Sequence, residues 1–292
     1  MIVTAPGSSS NLGPGFDCLG IAWKLYDRIA FEPANELVIS GCDERFRGPD
    51  NLAYQGFAAA FRVKEKPVPG VRIEFLQCDI PVSRGLGSSA ALLAAGAAAA
   101  NETGGLGFSR EELLAVCTKI EGHPDNLAPV LFGGFTAALK EEDGLLCASY
   151  PLSERLRFLA VIPDFELSTA SARAVMPKMV SLAAAVRNLS RSVLLADALE
   201  KGDMARIRLC MRDEFHQPYR LPLIPGAEEV FTLTEALGGG RAAACISGAG
   251  STLLLISDDS GRLETIRAVL AARFTGWKLL SVEPETQGLQ IL

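Results

Sequence analysis

The chain has 292 residues, with 28 Lys and Arg against 34 Asp and Glu, a formal net charge of −6 and 49% hydrophobic residues. This composition is typical of a globular protein, and the length leaves open one large domain or two domains that share a cleft. The acidic balance, without any cluster of Lys and Arg, argues against nucleic acid or an anionic membrane as a partner. The longest apolar run, residues 90–100, is far shorter than the roughly 20 residues that a membrane-spanning helix needs.

Runs rich in β-branched and aromatic residues predict short strands along the chain. They are Trp23–Phe31, Glu36–Ser40, Val71–Gln77, Gly134–Leu139, Phe158–Pro163, Ala242–Ser247, Thr252–Ser257 and Lys278–Val282.

Helices are predicted between these strands. Ser109 and Glu112 form a capping-box pattern and Gly122 follows the apolar positions, so a helix is predicted over Ser109–Glu121. Apolar residues at helical spacing predict an amphipathic helix over Val180–Glu200. These residues are Leu182, Val186, Leu189, Val193 and Ala196. Another helix is predicted after Gly202 and Asp203.

The predicted strands cluster in the first third of the chain and again near its end. This distribution indicates an α+β fold rather than a regular series of βαβ units. A loop around residues 150–153 follows an acidic turn, and we expect the boundary between two lobes there. The predicted lobes are residues 1–152 and 153–292.

The segment 81–91, PVSRGLGSSAA, lies between a predicted strand and an Ala-rich segment that is predicted to be helical. Gly85 and Gly87 permit backbone angles and close approaches that a side chain would block. The amides of residues 87–90 are then unpaired at a helix start, where the helix dipole and the free N–H groups attract an anion. A phosphate fits this position, and the hydroxyls of Ser88 and Ser89 can reach phosphate oxygens or a Mg²⁺ ion.

Segments of this composition also occur in three other settings. One is an ordinary turn in which Ser88 or Ser89 caps the helix. A Walker loop is excluded because the chain has no Gly-Lys-Ser/Thr. Gly85-x-Gly87-x-x-Ala90 matches a loose dinucleotide fingerprint, but residues 109–121 are predicted as helix where a Rossmann unit needs its second strand.

Two further loops are punctuated by glycine. The first, residues 5–17, is predicted as a polar loop between apolar segments, in which Asn11 and Asp17 could hold a small polar substrate. The second, residues 247–252, is predicted to join two short strands and to bring backbone amides close to a ligand. Each of them alone could also be an ordinary turn.

A fourth polar segment, Glu121–Asn126, follows the helix predicted from Ser109. It contains one histidine, His123, without further His or Cys at zinc spacing, which argues against a zinc site. Mg²⁺ needs only a carboxylate with hydroxyl and phosphate oxygens, and Glu121 with Ser88 suits it better. His216, the second histidine, is predicted to cap a helix.

Together these segments resemble known motifs. PVSRGLGSSAA (81–91), SSSNLGPGFDCLG (8–20) and ISGAGST (246–252) resemble the three motifs of the GHMP small-molecule kinase superfamily. EGHPDNLAP (121–129) narrows the resemblance to the homoserine kinase family. The similarity extends from Val3 to about Thr252.

The resemblance implies a two-lobed α+β fold. Its N-terminal ATP-binding lobe would contain a left-handed βαβ crossover, against the usual handedness, and its C-terminal lobe would be ferredoxin-like. The implied reaction transfers the γ-phosphoryl group of ATP, with Mg²⁺, to the side-chain hydroxyl of L-homoserine, giving O-phospho-L-homoserine for threonine biosynthesis. The implied partners are therefore L-homoserine and ATP, and a homodimer is a candidate assembly.

The resemblance also implies roles for individual residues. Residues 81–91 would surround the ATP phosphates: Pro81, Val82, Ser83, Arg84, Gly85, Leu86, Gly87, Ser88, Ser89, Ala90 and Ala91. Ser88 and Glu121 would hold Mg²⁺. The substrate pocket would be lined by Asn11, Asp17, His123, Asp125, Thr169, Arg173, Arg220 and Gly248. The catalytic group would comprise Asn126, Arg173, Arg220 and Asp125.

An amino-acid substrate explains why the pocket needs both signs of charge. A guanidinium can bind its carboxylate through two hydrogen bonds, and an acid such as Asp17 can take its ammonium group. Asn126 cannot act as a base, so the implied catalysis is positioning and charge stabilisation, with the substrate proton passing to phosphate. Asp125 remains a rival base.

Two alternatives to this function stay open at this point. One is another GHMP-type kinase acting on an isoprenoid, a sugar or a different amino alcohol. The other is a non-catalytic nucleotide-binding sensor. The N-terminal residues do not resemble a signal peptide and the seven cysteines show no C-x-x-C pair, so we expect a cytoplasmic protein with reduced cysteines.

Overall fold

The computed structural model describes residues 1–142 and 144–292 and contains two separate β-sheets with α-helices between their strands. The strands are β1 (Ile2–Asn11), β2 (Gly15–Pro33), β3 (Val38–Ser40), β4 (Val71–Cys78), β5 (Phe135–Lys140), β6 (Leu145–Tyr150), β7 (Arg157–Ile162), β8 (Ala242–Ile246), β9 (Leu253–Ser257), β10 (Lys278–Val282) and β11 (Gln290–Ile291). The helices are α1 (Leu52–Val63), α2 (Ser88–Thr103), α3 (Arg110–Glu121), α4 (Leu127–Phe132), α5 (Thr169–Ala174), α6 (Leu182–Lys201), α7 (Met204–Cys210), α8 (Gln217–Arg220), α9 (Ala227–Gly238) and α10 (Ser260–Arg273).

The larger sheet has the order β11-β1-β2-β4-β3, with β5 pairing with both β2 and β6. Its pairs are antiparallel except β3 and β4, which run parallel and are joined through α1. This is the βαβ unit that the resemblance implied, and its left hand stays a prediction. The mixed α+β class is confirmed.

The smaller sheet is antiparallel and has the order β10-β7-β9-β8. Helix α9 precedes β8, and α10 joins β9 to β10. Numbered from β7, the strand order is 4-1-3-2 with a βαββαβ sequence, which is the ferredoxin-like topology. The predicted C-terminal architecture is therefore confirmed. Strand β11 returns to the larger sheet and pairs with β1, and the division at residues 152 and 153 stays a prediction.

Helix α2 is buried along most of its length because its side chains are small. A Cβ at Gly96 would lie 1.8 Å from the Ala53 carbonyl oxygen of α1, and one at Gly56 would lie 2.1 Å from the Leu93 carbonyl oxygen. The alanine and glycine content therefore lets α1 and α2 pack with their backbones almost in contact. This packing fixes the start of α2, at Ser88, against the larger sheet.

Three sequence-based expectations differ from the structure. Residues 5–17 were expected to be a loop, but they form β1, a tight turn and the start of β2, with Ser8, Ser9 and Ser10 buried. This strand was not predicted because serine and glycine are not typical of strands. Its buried serine side chains make hydrogen bonds to residues far away in the chain, which the local sequence does not show. Strand β6 was not predicted, since its side chains are largely exposed.

The third difference concerns α6, which begins at Leu182 and ends at Lys201, close to the predicted bounds. The apolar repeat that predicted it lies mainly on the exposed side, and another apolar stripe packs on the protein. In α3 the capping box is present as predicted: Ser109 accepts a hydrogen bond from the Glu112 amide, and Glu112 accepts one from the Ser109 amide. No helix in the described parts of the chain is long and apolar enough to cross a membrane.

Candidate active site

The glycine-rich loop connects β4 to α2 and depends on two glycines. Gly85 and Gly87 both have φ of +76°, in the left-handed region that favours glycine. A Cβ at Gly87 would lie 2.1 Å from Ser8 Oγ, and one at Gly85 would lie 2.2 Å from the Ser247 carbonyl oxygen. Gly87 precedes α2 without any side-chain cap, so the amides of the first helical turn remain free for an anion.

Replacing Gly87 with alanine is expected to destabilise the protein strongly. The new Cβ adds a collision with Ser8 to the cost of about 1 kcal/mol or more for a non-glycine residue in this conformation. Gly107→Ala is the matched control, because Gly107 has φ of +71° and nothing within 4 Å of its Cβ position. Thermal unfolding should show a clearly larger fall in Tm for Gly87→Ala, and equal falls would contradict the close approach to Ser8.

Hydrogen bonds join this glycine-rich loop to strand β1 and to the loop that begins at Ser247. The Ser8 amide donates to the Leu86 carbonyl at 2.9 Å. The Ser247 hydroxyl lies 2.6 Å from both Ser9 Oγ and the Gly85 carbonyl oxygen. Segments that lie between 78 and 238 residues apart in the chain therefore form one hydrogen-bonded wall.

This wall borders a cavity of about 870 Å³. The structure brings most of the predicted site residues to it: Asn11, Pro81, Val82, Ser83, Gly85, Leu86, Gly87, Ser88, Ser89, Glu121, His123, Asn126, Thr169, Arg173, Arg220 and Gly248. The predicted residues that do not line it are Asp17, Arg84, Ala90, Ala91 and Asp125. At the β4 end the lining is mixed: it includes the apolar residues Phe46, Leu52, Phe75 and Ile80 and the polar residues Asp43, Arg45, Asp50 and Asn51.

Oxygen donors suited to a hard cation meet at the start of α2. The Ser89 hydroxyl donates a hydrogen bond to Glu121 Oε2 at 2.6 Å. The sequence-based prediction was that Ser88, rather than Ser89, acts with Glu121 in holding Mg²⁺. Neighbouring residues on a helix point about 100° apart, and it is Ser89 that faces α3. A carboxylate and a hydroxyl on a cavity wall are a donor set that fits Mg²⁺ completed by phosphate oxygens and water.

A second group of potential metal ligands, Asp17, His123 and Asp125, lies nearby. Its members are already engaged: Asp17 binds Arg173 through two hydrogen bonds, and His123 Nδ1 lies 2.6 Å from Asp125 Oδ1. These pairings leave the group less suited to a cation than Glu121 with Ser89.

Asn126 is held by β1 through both ends of its side-chain amide. Ser8 Oγ donates to Asn126 Oδ1 at 2.9 Å, and Asn126 Nδ2 donates to Ser10 Oγ at 2.9 Å. The backbone N–H of Asn126 donates a hydrogen bond to Asp125 Oδ1 at 3.1 Å. One N–H and one lone pair of the side chain remain free to meet a substrate hydroxyl.

The partly buried His123 and the fully buried Asp125 form a pair beside Asn126. Burial alone would lower the pKa of His123, but the hydrogen bond and charge of Asp125 outweigh it and raise that pKa. Burial would likewise raise the pKa of Asp125, and the hydrogen bond from His123 instead lowers it. Asp125 is 1% exposed and does not line the cavity, so its carboxylate orients His123 rather than facing the bound molecule.

The stability that His123 contributes is expected to depend on pH. Because its pKa is raised on folding, its contribution is complete below the ordinary value of 6.5 and is lost as pH rises through the raised pKa. On the acid side it is lost when Asp125, whose pKa is lowered from 3.8, becomes protonated. Urea unfolding of wild type and His123→Gln from about pH 5 to about pH 9 should show a difference that shrinks with rising pH, and a growing difference would contradict this ion pair.

The two arginines predicted to bind a carboxylate have different surroundings. Arg173 is paired with Asp17, at 2.6 and 3.0 Å. Arg220 is 1% exposed and donates only to carbonyl oxygens, those of Ala172 and Gly248, both at 3.2 Å. Among the described residues no carboxylate oxygen lies within 4.0 Å of its guanidinium nitrogens. Burial, reinforced by the charge of Arg173, lowers the pKa of Arg220 to about 10.

Phe16 lies between these arginines. Its ring centroid is 5.0 Å from Arg220 Cζ and 5.6 Å from Arg173 Cζ. The His216 ring stacks on the Phe16 ring, with 5.6 Å between the ring centroids. His216 Nε2 also lies 2.8 Å from the Gly13 carbonyl oxygen. The start of β2, which carries Phe16, and the turn before it are therefore anchored to Arg173, Arg220 and His216 of the C-terminal lobe.

The two strand ends that flank this turn contribute Asn11, the last residue of β1, and Asp17 of β2. Asn11 has φ of +67°, and its side chain donates to the Gly248 carbonyl at 2.8 Å and accepts from the Asp17 amide at 2.9 Å. Thr169 is the first residue of α5, after the N-cap Ser168, and reaches the cavity from the other lobe. Residues of both lobes therefore meet around the Arg220 guanidinium.

Comparison with known proteins agrees with this geometry. Residues 51–134 match the family model for the GHMP kinase N-terminal domain, and residues 195–276 match that for the GHMP kinase C-terminal domain. The homoserine kinase of Clostridium beijerinckii is 38% identical over 294 aligned residues, which cover 99% of this chain and 98% of the relative. The chain belongs to the homoserine kinase family.

Solved structures support the same assignment for this homoserine kinase family member. The crystal structure of homoserine kinase from Cytophaga hutchinsonii has a TM-score of 0.87 at 26% identity, covering 100% of this chain and 97% of that one. The structure of a putative homoserine kinase from Listeria monocytogenes has a TM-score of 0.81 at 26% identity, and the match covers 100% of this chain and 98% of that one.

Several residues of this family member's site were not found from its sequence. Ser8 and Ser10, which hold Asn126, sit in a segment taken for a loop, and only the alternation of a strand would have indicated that both face one side. The sequence did not predict a role for Phe16. Its two arginine neighbours, Arg173 and Arg220, are far away in the chain, so their contact with the ring appears only in the folded structure. Ser89 was grouped with Ser88, since the sequence does not give the orientation of the helix about its axis.

Proposed function

We propose that this chain transfers the γ-phosphoryl group of ATP, with Mg²⁺, to the side-chain hydroxyl of L-homoserine. The observation that carries the proposal is Arg220, a buried guanidinium that borders the cavity without an acid partner. A buried cation without a hydrogen-bonded acid is costly. The charges of Asp17, Asp125 and Asp213 offset part of that cost, and a substrate carboxylate would bind the guanidinium directly through two hydrogen bonds. Sugars and simple alcohols offer no such group.

We place the sites for ATP and Mg²⁺ at the part of the cavity that is bordered by the start of α2 and by β4. The free amides at the start of α2 would bind the phosphates, and the apolar lining at Phe46, Leu52 and Phe75 suits a purine ring. Glu121 and Ser89 would hold Mg²⁺, which when bound neutralises charge on the phosphates. This replaces Ser88 of the sequence-based proposal with Ser89.

In the proposed mechanism the protein positions the reactants and supplies no base. The homoserine oxygen forms a bond to the γ-phosphorus, the bond from that phosphorus to the ADP oxygen breaks, and the hydroxyl proton passes to a phosphoryl oxygen. Asn126 would orient the hydroxyl, because Ser8 and Ser10 fix its amide. Asp125 is too deeply buried behind His123 to take the proton.

Asp17 is proposed to act on the amino group. Asp17 does not itself line the cavity, but it is 34% exposed and bound to Arg173, which does line it. We propose that a substrate ammonium reaches the exposed side of the Asp17 carboxylate while Arg173 remains bound to it. The substrate would then lie with its carboxylate at Arg220 and its ammonium at Asp17. All seven cysteines are free, which fits our proposal of a cytoplasmic location.

The test is ADP release by the purified protein with Mg·ATP and a panel of alcohols: L-homoserine, D-homoserine, L-serine, mevalonate and galactose. Selective turnover of L-homoserine is expected. Turnover of mevalonate or galactose would support another GHMP-type activity and overturn the pocket assignment. ATP binding without turnover of any alcohol would support the sensor alternative.

A further inference from the structure

One acidic side chain is buried in the wall of the cavity, at the end where we place the purine ring. Asp27 of β2 is 3% exposed and borders the cavity. Its neighbours across the sheet are Ala5 of β1 and Cys78 of β4. Cys78 and Phe75 of the same strand border the cavity as well. The carboxylate therefore belongs to the wall formed by β2 and β4, and the proposed mechanism does not use it.

The hydrogen bonds of Asp27 leave acceptor capacity on its carboxylate. The backbone N–H of Ile80 donates to Asp27 Oδ1 at 3.1 Å. Among the described residues no side chain donates to either oxygen, and no Lys, Arg or His nitrogen lies within 4.0 Å of them. Because a carboxylate offers about four lone-pair sites, positions remain for a donor that enters the cavity.

The ionised form of Asp27 is destabilised by its surroundings. Burial raises the pKa of Asp27 to about 6, the hydrogen bond from Ile80 offsets only part of this effect, and the charge of Asp79 raises the pKa further. Above that pKa the protein holds a buried negative charge without a cation. A further hydrogen-bond donor would stabilise this charge.

ATP offers three kinds of group to this wall. The phosphates are negative, so a buried carboxylate repels them. The ribose hydroxyls and the 6-amino group of adenine are both donors. The amino group is attached to the flat apolar ring, and it is this ring that fits against the apolar side chains at the same end of the cavity, Phe46, Phe75 and Ile80.

We propose that Asp27 selects adenine nucleotides by accepting a hydrogen bond from the 6-amino group of the base. A purine with a 6-oxo group, as in ITP, would direct oxygen lone pairs at the carboxylate and would be rejected. The inference rests on the proposed function, since it requires that the cavity binds ATP. The same side chain holds the N–H of Ile80, directly before the glycine-rich loop, so base and loop would be fixed by one residue.

The test measures nucleotide Kd values by calorimetry, with Mg²⁺ and without any amino alcohol. For wild type we expect ITP to bind at least about 30-fold more weakly than ATP, as for the loss of a hydrogen bond to a charged group. In Asp27→Asn the side-chain oxygen can still accept from Ile80, which turns the amide N–H₂ group towards the base. ITP should therefore bind more tightly to Asp27→Asn than to wild type, and ATP more weakly. A gain of affinity for ITP cannot come from a damaged fold.

Asp50→Asn is the matched control, because Asp50 also borders the cavity but is exposed to water. Its ratio of the two Kd values should equal that of wild type. Equal affinity of wild type for ATP and ITP, or an unchanged ratio in Asp27→Asn, would overturn the proposal. It would also be overturned if Asp27→Asn weakened ATP but not 2′-deoxy-ATP, because the donor would then be a ribose hydroxyl.

Wild type alone decides the question if Asp27→Asn does not fold. Purine riboside triphosphate, which has hydrogen in place of the 6-amino group, should bind about 10-fold or more weakly than ATP, and equal affinity would overturn the proposal. Tight binding of ATP without discrimination would remove the role of Asp27 and leave the proposed function intact. A wild type that binds no ATP would overturn both.

Discussion

Replacing Arg220 with methionine is expected to lower kcat/KM for L-homoserine about 10³-fold, which corresponds to about 4 kcal/mol of lost transition-state stabilisation. The guanidinium is buried at the cavity and makes hydrogen bonds only to carbonyl oxygens. It is therefore the group best placed to take the substrate carboxylate through two charged hydrogen bonds. Methionine keeps a similar volume and removes the charge.

The loss should be specific to substrates that carry a carboxylate. With 3-aminopropan-1-ol, which lacks that group, wild type and Arg220→Met should have similar low activities. Arg241→Met is the matched control, because Arg241 is half-exposed and pairs with Asp258 away from the cavity. An equal loss with both substrates would show that Arg220 supports the fold or the ATP site instead.

The thermal stability of Arg220→Met gives an independent check on this explanation. A buried charge without an acid partner costs free energy that methionine would not. We therefore expect the Tm of the variant to equal or exceed that of wild type. A large fall in Tm together with lost activity would mean that the variant is impaired through its fold.

Replacing Glu121 with glutamine is expected to lower kcat at least about 10³-fold and to raise the Mg²⁺ concentration needed for half-maximal rate. The change keeps the shape and removes the negative charge beside Ser89. Hard cations prefer carboxylate oxygens over neutral amides, so the ion that shields the phosphates would be held less tightly. The measurement is the rate of ADP formation over a Mg²⁺ titration.

Glu111→Gln is the control for this variant. Glu111 lies in the first turn of α3, at the opposite end of the same helix, and is exposed. Its variant should retain wild-type kcat and Mg²⁺ dependence. A Glu121→Gln protein with normal kcat at saturating Mg²⁺ would remove Glu121 from the metal site, and attention would pass to Asp17 and its neighbours.

Local sequence patterns predicted the features that depend on local geometry. The predicted capping box of α3 is confirmed, because its hydrogen bonds join residues only three apart. The predicted position of the glycine-rich loop between a strand and a helix is also confirmed, because the strand, the two glycines and the small-residue helix follow one another in the chain. The α+β class followed from where the strands cluster along the chain.

Features that depend on which side of an element faces a partner were missed. The apolar repeat of α6 is plain in the sequence, but the sequence does not say that the surface it forms is left exposed. Strand β1 was hidden because Ser8, Ser9 and Ser10 are satisfied by partners more than 100 residues away. The pairing of Asp17 with Arg173 likewise joins two lobes, and only the folded chain shows that Arg220 remains without an acid.

We propose that the cavity holds an amino-acid alcohol with its hydroxyl facing ATP. The most direct test is ³¹P NMR of the purified protein mixed with Mg·ATP and L-homoserine. We predict a new phosphomonoester signal that grows in step with ADP and matches synthetic O-phospho-L-homoserine. ADP accompanied only by inorganic phosphate, or no consumption of ATP, would contradict the account.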